Sequence, residues 1–137
     1  MKIQGATRMR KSSLLGLFVF LTMTLSACAA QPSGDAADAA LAYLQALADK
    51  DKEAVVSLTC KAWEEQAILE VDALMSVGSA LNNVTCSQTG TDGDNALVVC
   101  TGNLDLTYEN EIRAIELDSR TYTLGIEDGS WRVCSYK

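Results

Sequence analysis

Cys60, Cys86, Cys100 and Cys134, with a fifth cysteine far upstream at Cys28, are the most reactive side chains of this 137-residue chain. In an exported protein the downstream four read as two disulfides, whereas in a reducing compartment such a set reads as metal ligands or catalytic thiols. No two of them stand at the close spacing zinc sites use, and no histidine is present to help. Disulfides are therefore expected, and no metal. The lack of histidine also excludes Ser-His-Asp triads and imidazole general bases. Carboxylates and phenols remain for acid–base chemistry. Asp105 and Tyr108 fall at the end of a candidate strand, where exposed surface is the simpler reading. Tyr43 and Tyr122 read as core rings with hydroxyls at the rim. Asp92 and Asp94 have the spacing of a calcium loop, but Ala96 holds the third position and no glutamate follows at the required distance. They are read as turn residues. Asn83-Val84-Thr85 is a formal glycosylation sequon, and no Gly-rich phosphate loop or internal repeat is visible. No catalytic residue and no cofactor is assigned.

The elements that must position these residues begin after an unusual N-terminus. Residues 1–13 carry Lys2, Arg8, Arg10 and Lys11 and no acid, and the apolar run Leu14 to Leu25 is only 12 residues long. A membrane span needs about 20 apolar residues, so this run is too short to cross and has the layout of a secretory signal instead. It closes with Leu25-Ser26-Ala27-Cys28, which resembles the lipobox of bacterial lipoproteins at all four positions. The resemblance implies a diacylglyceryl group on the thiol of Cys28, cleavage just before it, and fatty acyl chains such as palmitate as the membrane anchor. Stable attachment takes two or more chains, at about 0.8 kcal/mol per buried CH₂. In such a chain the sequon is not expected to be glycosylated.

Removing residues 1–27 takes four of the eleven basic residues and none of the eighteen acids, leaving 110 residues with a formal net charge of −11. No basic patch survives, which excludes nucleic acid as a partner. Acidic side chains are also repelled by anionic headgroups, so adhesion falls to the acyl chains on Cys28. The small, polar stretch Ala29 to Ala36 serves as a tether reaching at most about 26–29 Å. The expected organisation is a signal peptide at 1–27, an acylated cysteine and flexible tether at 28–36, and a single α+β domain at 37–137. The expected location is the extracytoplasmic face of a bacterial membrane.

Within that domain, Ala37, Ala40, Leu41, Leu44, Leu47 and Ala48 recur at helical spacing behind Ser33 and Asp35 as candidate caps. Asp51 is the candidate N-cap of a second helix with Glu53 in its first turn. Trp63, Ala67, Val71, Leu74, Gly78 and Leu81 mark one face of a third helix, with Glu64, Glu65 and Asp72 on its solvated side and Leu81-Asn82-Asn83 as its end. The period then changes to two. Val84 and Cys86 alternate with polar residues, and Ala96, Val98, Cys100, Gly102, Leu104 and Leu106 share one strand face. Tyr122, Leu124 and Ile126 form another, followed by an Asp128-Gly129 hairpin signal and a last strand through Trp131 and Val133. Helices followed by a meander of about four antiparallel strands make an α+β fold with the helices on one sheet face.

Four cysteines allow three pairings, but the strand pattern favours one. If Gly93 lies at the centre of the first hairpin, Thr91 faces Asn95, Gln88 faces Val98 and Cys86 faces Cys100. Directly opposed side chains share a sheet face. Cys86–Cys100 is therefore the expected bond, which leaves Cys60 to Cys134, joining the helical layer to the final strand. A slip of one residue would put Cys86 and Cys100 on opposite faces.

The stretch ALAYLQALADKDKEAVVSL, Ala40 to Leu58, resembles the paired-helix opening of the nuclear transport factor 2-like (cystatin-like) superfamily. YTLGIEDGSWRVC, Tyr122 to Cys134, is similar to the closing hairpin of its small exported members. The resemblance implies N-terminal helices on a curved antiparallel sheet whose interior is an active site, a ligand pocket or solid core. The leading expectation is a lipid-anchored, non-catalytic binding or accessory module that meets an envelope protein or holds a small apolar ligand. The alternative is a small isomerase or dehydratase using Asp and Tyr inside the cone.

Overall fold

The computed structural model describes residues 34–137. The expected signal, Cys28, most of the tether and Ser33 lie outside the described residues. No helix among the described residues is long and apolar enough to cross a membrane.

Helix α1, Ala36–Asp49, starts where expected: the Asp35 carboxylate accepts from the Asp38 N–H at 2.8 Å, satisfying one of the free donors of the first turn. Its buried stripe is Ala36, Ala40, Tyr43, Leu44 and Leu47, a regular helical face. That stripe is turned slightly from the expected one, so that Tyr43 is fully buried and Leu41 only partly. Lys50 ends the helix in the left-handed region at φ 59°, and its ammonium group reaches the Val77 carbonyl. Helix α2, Lys52–Ser57, is capped by Asp51, which accepts from the Ala54 N–H at 3.0 Å. A short 3-10 turn, Lys61–Trp63, leads into α3, Glu64–Leu74.

The third helix stops earlier than its apolar spacing predicts. Strand β1, Gly78–Asp92, takes Gly78, Leu81 and the two asparagines that the apolar spacing places in the helix and its end. Apolar residues at 78 and 81 fit a helical period, but Val77, Ser79 and Leu81 also fit alternation, and short patterns of this kind do not separate the two. Pairing with the long neighbouring strand β2, Asn95–Tyr108, decides it. The remaining strands are β3, Glu111–Glu116, β4, Thr121–Glu127, and β5, Ser130–Tyr136. The sheet has five antiparallel strands rather than about four. β3 escapes alternation reading because its residues are mostly exposed and charged, with only Ile115 partly buried.

β2 is the organising strand. One of its edges pairs with β1, while the other pairs with β4 at Ala96–Val99 and with β3 at Asn103–Tyr108. Its inward face is Ala96, Val98, Cys100, Leu104 and Leu106, all buried. Gly102 interrupts the alternation at φ +91°, where an added Cβ would lie 2.5 Å from the Asn83 carbonyl oxygen. Only glycine fits this bulge, which bends the sheet around the helices.

The first hairpin corrects one detail of the expected register. Its two loop residues are Gly93 and Asp94, so Asp92 faces Asn95 and Thr91 faces Ala96, one residue away from the expected pairing. Positive φ at Gly93 alone matches a type II′ turn. A second irregularity between Gln88 and Gly90 then absorbs one residue, so Gln88 faces Val98 and Cys86 faces Cys100. The turn shift is cancelled before it reaches the cysteines.

The core lies between α1 and the concave sheet face, with Tyr43, Leu44, Val98, Tyr122, Leu124 and Val133 almost wholly buried. Each such side chain contributes roughly 1.5–3 kcal/mol relative to exposure. The link after α2 joins the sheet as well. Thr59 bridges Val133 in parallel, the Cys60 N–H donates to the Val133 carbonyl at 2.8 Å, and the Val133 N–H donates to the Leu58 carbonyl at 2.9 Å.

Candidate binding site in the sheet cone

Between the helices and the sheet a cleft of about 250 Å³ remains open. Leu47 of α1, Ala73 and Leu74 of α3, and Leu104, Leu106 and Ile115 of the sheet give it mainly apolar walls. Its polar wall is Glu70, Arg120 and Tyr136. These arrive from three separate places: the inner flank of α3, the link before β4, and the end of β5. The volume is slightly below the 300–1,000 Å³ usual for small-molecule pockets, so any occupant is small.

Glu70 is the centre of the polar wall. Its Oε2 accepts from the Tyr43 hydroxyl at 3.0 Å. Its Oε1 is buried and has no hydrogen-bond partner among the described residues. Tyr136 stacks obliquely on Tyr122, with ring centroids 5.5 Å apart, and meets Trp63 edge-on at 5.9 Å. The Arg120 guanidinium lies 4.8 Å from the Tyr136 ring centroid, within cation–π range. Among the described residues Arg120 forms no ion pair with any carboxylate, Glu70 included.

These surroundings keep the phenols protonated. Burial drives the Tyr43 pKa far above its ordinary value, and the Glu70 carboxylate pushes it the same way. Burial, then the charge of the nearby Glu70 carboxylate and hydrogen bonding toward it, pushes Tyr136 up to about 12. Burial also raises Tyr122, with Arg120 opposing. All three phenols are hydrogen-bond donors at neutral pH, and none is poised as a base.

The residues singled out in the sequence are spread differently. Asp105 alternates with the inward Leu104 and Leu106, so it faces away from the cleft, and it accepts from the Asn82 amide at 2.9 Å. Tyr108 stands at the cleft rim, 43% exposed. Asp92 and Asp94 stand on either side of Gly93 at the hairpin tip and are exposed. Among the described residues no three acidic or cysteine side chains gather as a metal site. Tyr43 and Tyr122 have their rings in the core, but the Tyr122 hydroxyl is buried beside Arg120, with no hydrogen bond of normal geometry among the described residues, instead of reaching the rim. Cys86 and Cys100 lie at disulfide distance with Cα atoms 3.9 Å apart, and so do Cys60 and Cys134 with Cα atoms 4.7 Å apart.

Glu70, Arg120 and Tyr136 are the residues that sequence reasoning missed. Glu70 carried a signal: it lies three residues after Ala67 and four before Leu74, on the inner flank of the apolar stripe. Arg120 and Tyr136 carried none, because only closure of the sheet brings them to α3.

No protein-family model matches the chain, and no curated protein does. Solved structures do. A nuclear transport factor 2-like protein with a cystatin-like fold from Novosphingobium aromaticivorans is 15% identical and aligns with a TM-score of 0.51, covering 73% of this chain and 75% of its own. A candidate calcium/calmodulin-dependent protein kinase II association domain from Xanthomonas campestris is 19% identical, with a TM-score of 0.52 over 79% of this chain and 89% of its own. A candidate dehydratase of the nuclear transport factor 2-like family from Streptomyces avermitilis aligns at a TM-score of 0.46 and 18% identity, over 72% of this chain and 87% of its own. At these identities the first two establish a shared fold, helices on a curved antiparallel sheet, and nothing about activity.

Proposed function

We propose that the protein is an exported binding module, anchored to the bacterial envelope by acyl chains on Cys28, whose cone holds a small and mainly apolar ligand. The observation that carries this reading is the cleft: about 250 Å³ with apolar walls from both layers and one polar wall. Binding sites of this kind combine apolar burial with a few convergent polar groups. The acidic domain meets its envelope surroundings at the end of the tether, away from the anionic headgroups.

A second reading is favoured by one feature. Glu70 is a carboxylate at the cleft wall, hydrogen-bonded to a phenol, and an isomerase or dehydratase needs such a group as its base. Asp105, read from the sequence as a surface residue, faces the other way. Binding ranks first because Tyr43 already occupies one oxygen of Glu70 and none of the phenols is activated.

Two measurements test the proposal. The anchor predicts that the chain incorporates labelled fatty acid and partitions into detergent, and that Cys28→Ser abolishes both. A Cys28→Ser chain that fractionates with membranes as before contradicts it. For the cleft, native mass spectrometry of the purified protein with small alicyclic molecules is expected to show one-to-one complexes without turnover. Turnover that disappears in Glu70→Gln would establish the enzyme instead.

A further inference from the structure

The polar wall of the cleft says what kind of head group its ligand carries, an inference that rests on the binding reading above. Three observations converge. The Oε1 atom of Glu70 is buried and makes no hydrogen bond of normal geometry among the described residues, although the Tyr136 phenol stands close enough to feel the carboxylate. The Arg120 guanidinium lines the same cleft without a carboxylate partner among the described residues. The other lining groups are apolar, except for the Tyr136 phenol and the rim residue Tyr108.

A buried acceptor without a well-aligned donor is costly, and the Tyr136 phenol does not reach Oε1 in good geometry, so Glu70 selects for a group that brings an N–H or O–H. Arg120 carries only donors, so it selects for a group with an accepting lone pair. The two charges are of opposite sign and face the same small volume. An anionic ligand would meet Arg120 but bring a second negative charge against Glu70. A cationic ligand would do the reverse against Arg120. An uncharged group that donates and accepts at once satisfies both walls, and a hydroxyl is the smallest such group. The volume, about that of eight water molecules at ~30 Å³ each, leaves room for a compact apolar body beside it.

We infer that the cleft takes a small uncharged alcohol, with its hydroxyl donating to Glu70 and accepting from Arg120 and its hydrocarbon body against Leu74, Leu104, Leu106 and Ile115. Charge neutrality of the pair is what sets the selectivity. Removing either charge is therefore expected to reverse the preference rather than merely weaken binding.

The test is titration calorimetry with three probes of one shape: cyclohexylmethanol, cyclohexanecarboxylate and cyclohexylmethylamine. Every described element and the whole core lie within residues 36–136, so the soluble chain from Ala29 onward serves for these measurements. The alcohol is expected to bind about tenfold or more tighter than either ion, the ratio that one charge-assisted hydrogen bond supplies. Glu70→Gln, which retains an oxygen for the Tyr43 hydroxyl, should make the carboxylate the best ligand of the three. Arg120→Gln should do the same for the amine. Three equal affinities, or an ion that binds best to the unaltered protein, would overturn the head-group inference while leaving the cleft a binding site. No binding of any probe at millimolar concentration, with circular dichroism showing a folded chain, would remove the binding reading itself.

Discussion

Around Thr59, burial and bonding go together. The Thr59 hydroxyl donates to the Val55 carbonyl at 2.7 Å, the flanking backbone is tied to Val133 on both sides, Arg132 donates to the Ser57 carbonyl at 2.6 Å, and Cys60 sits at bonding distance from Cys134. At the cleft between α3 and β3 the opposite holds. Among the described residues Glu70 Oε1 is buried without a well-formed hydrogen bond and Arg120 lacks an ion pair, and Ile112 and Met75 nearby in sequence to the lining strands and helix are 68% and 59% exposed. One region spends its polar groups on holding the chain together, and the other leaves them available. A scaffold of the first kind is what allows a site of the second kind to keep its shape without being filled.

That contrast predicts a graded set of effects. The largest should come from the clamp. Replacing Cys60 and Cys134 together by alanine opens a loop with a sequence separation of 74, worth about 4 kcal/mol on the loop-entropy model. The Cys86–Cys100 pair, with a separation of 14, is worth about 3 kcal/mol on the same model. Urea unfolding of the two double variants should show that order. An equal loss, or a larger one for the hairpin pair, would break the contrast. Non-reducing peptide mapping should recover both linkages and none from Cys60 to Cys86 or Cys100.

Next comes the latch between core and cleft. Tyr43→Phe strips the second oxygen of Glu70 of its donor, and a hydrogen bond to a charged group is worth about 1.5–3 kcal/mol. The same cluster sets a limit in alkali. The Tyr136 phenol titrates at about 12 in the folded protein against about 10 unfolded. The folded state therefore binds its proton more tightly, and this stabilisation is complete below pH 10 and lost as pH rises toward 12. Tyr43 and Tyr122 shift in the same direction. In a Tyr108→Phe chain, which lacks the exposed phenol at the cleft rim, tyrosinate absorbance and circular dichroism should change together above pH 10. Phenol ionisation well before the loss of structure would contradict the buried cluster. The smallest effect belongs to the caps: Asp51→Ala should cost about 1 kcal/mol of stability and leave ligand affinity unchanged.

Much of this scaffold was legible in the sequence and little of the site was. Asp35 and Asp51 announce their helices because capping is a local event, settled within three residues. The inward face of β2 shows because alternation is also local. The β1 register is less so: Thr91 and Asn95 do not face each other, yet Cys86 and Cys100 do, since a bulge downstream undoes what the turn did. Leu81 and Asn82 look like the end of a helix until β2 is there to pair with them. The site depends most on distant parts. Asp105 was the visible carboxylate and faces outward, whereas Glu70 becomes a cleft residue only when Tyr43, Tyr136 and Arg120 arrive from other elements.

The cleft's role is tested most directly by methyl NMR of the soluble chain during titration with cyclohexylmethanol. Saturable shifts are predicted for the methyl groups of Leu74, Leu104, Leu106 and Ile115, which line the cleft. Val55 and Leu124, fully buried in the solid core, should stay in place. Shifts confined to exposed residues such as Leu69 and Ile126, or changes that never saturate, would contradict the assignment of the cone as the binding site.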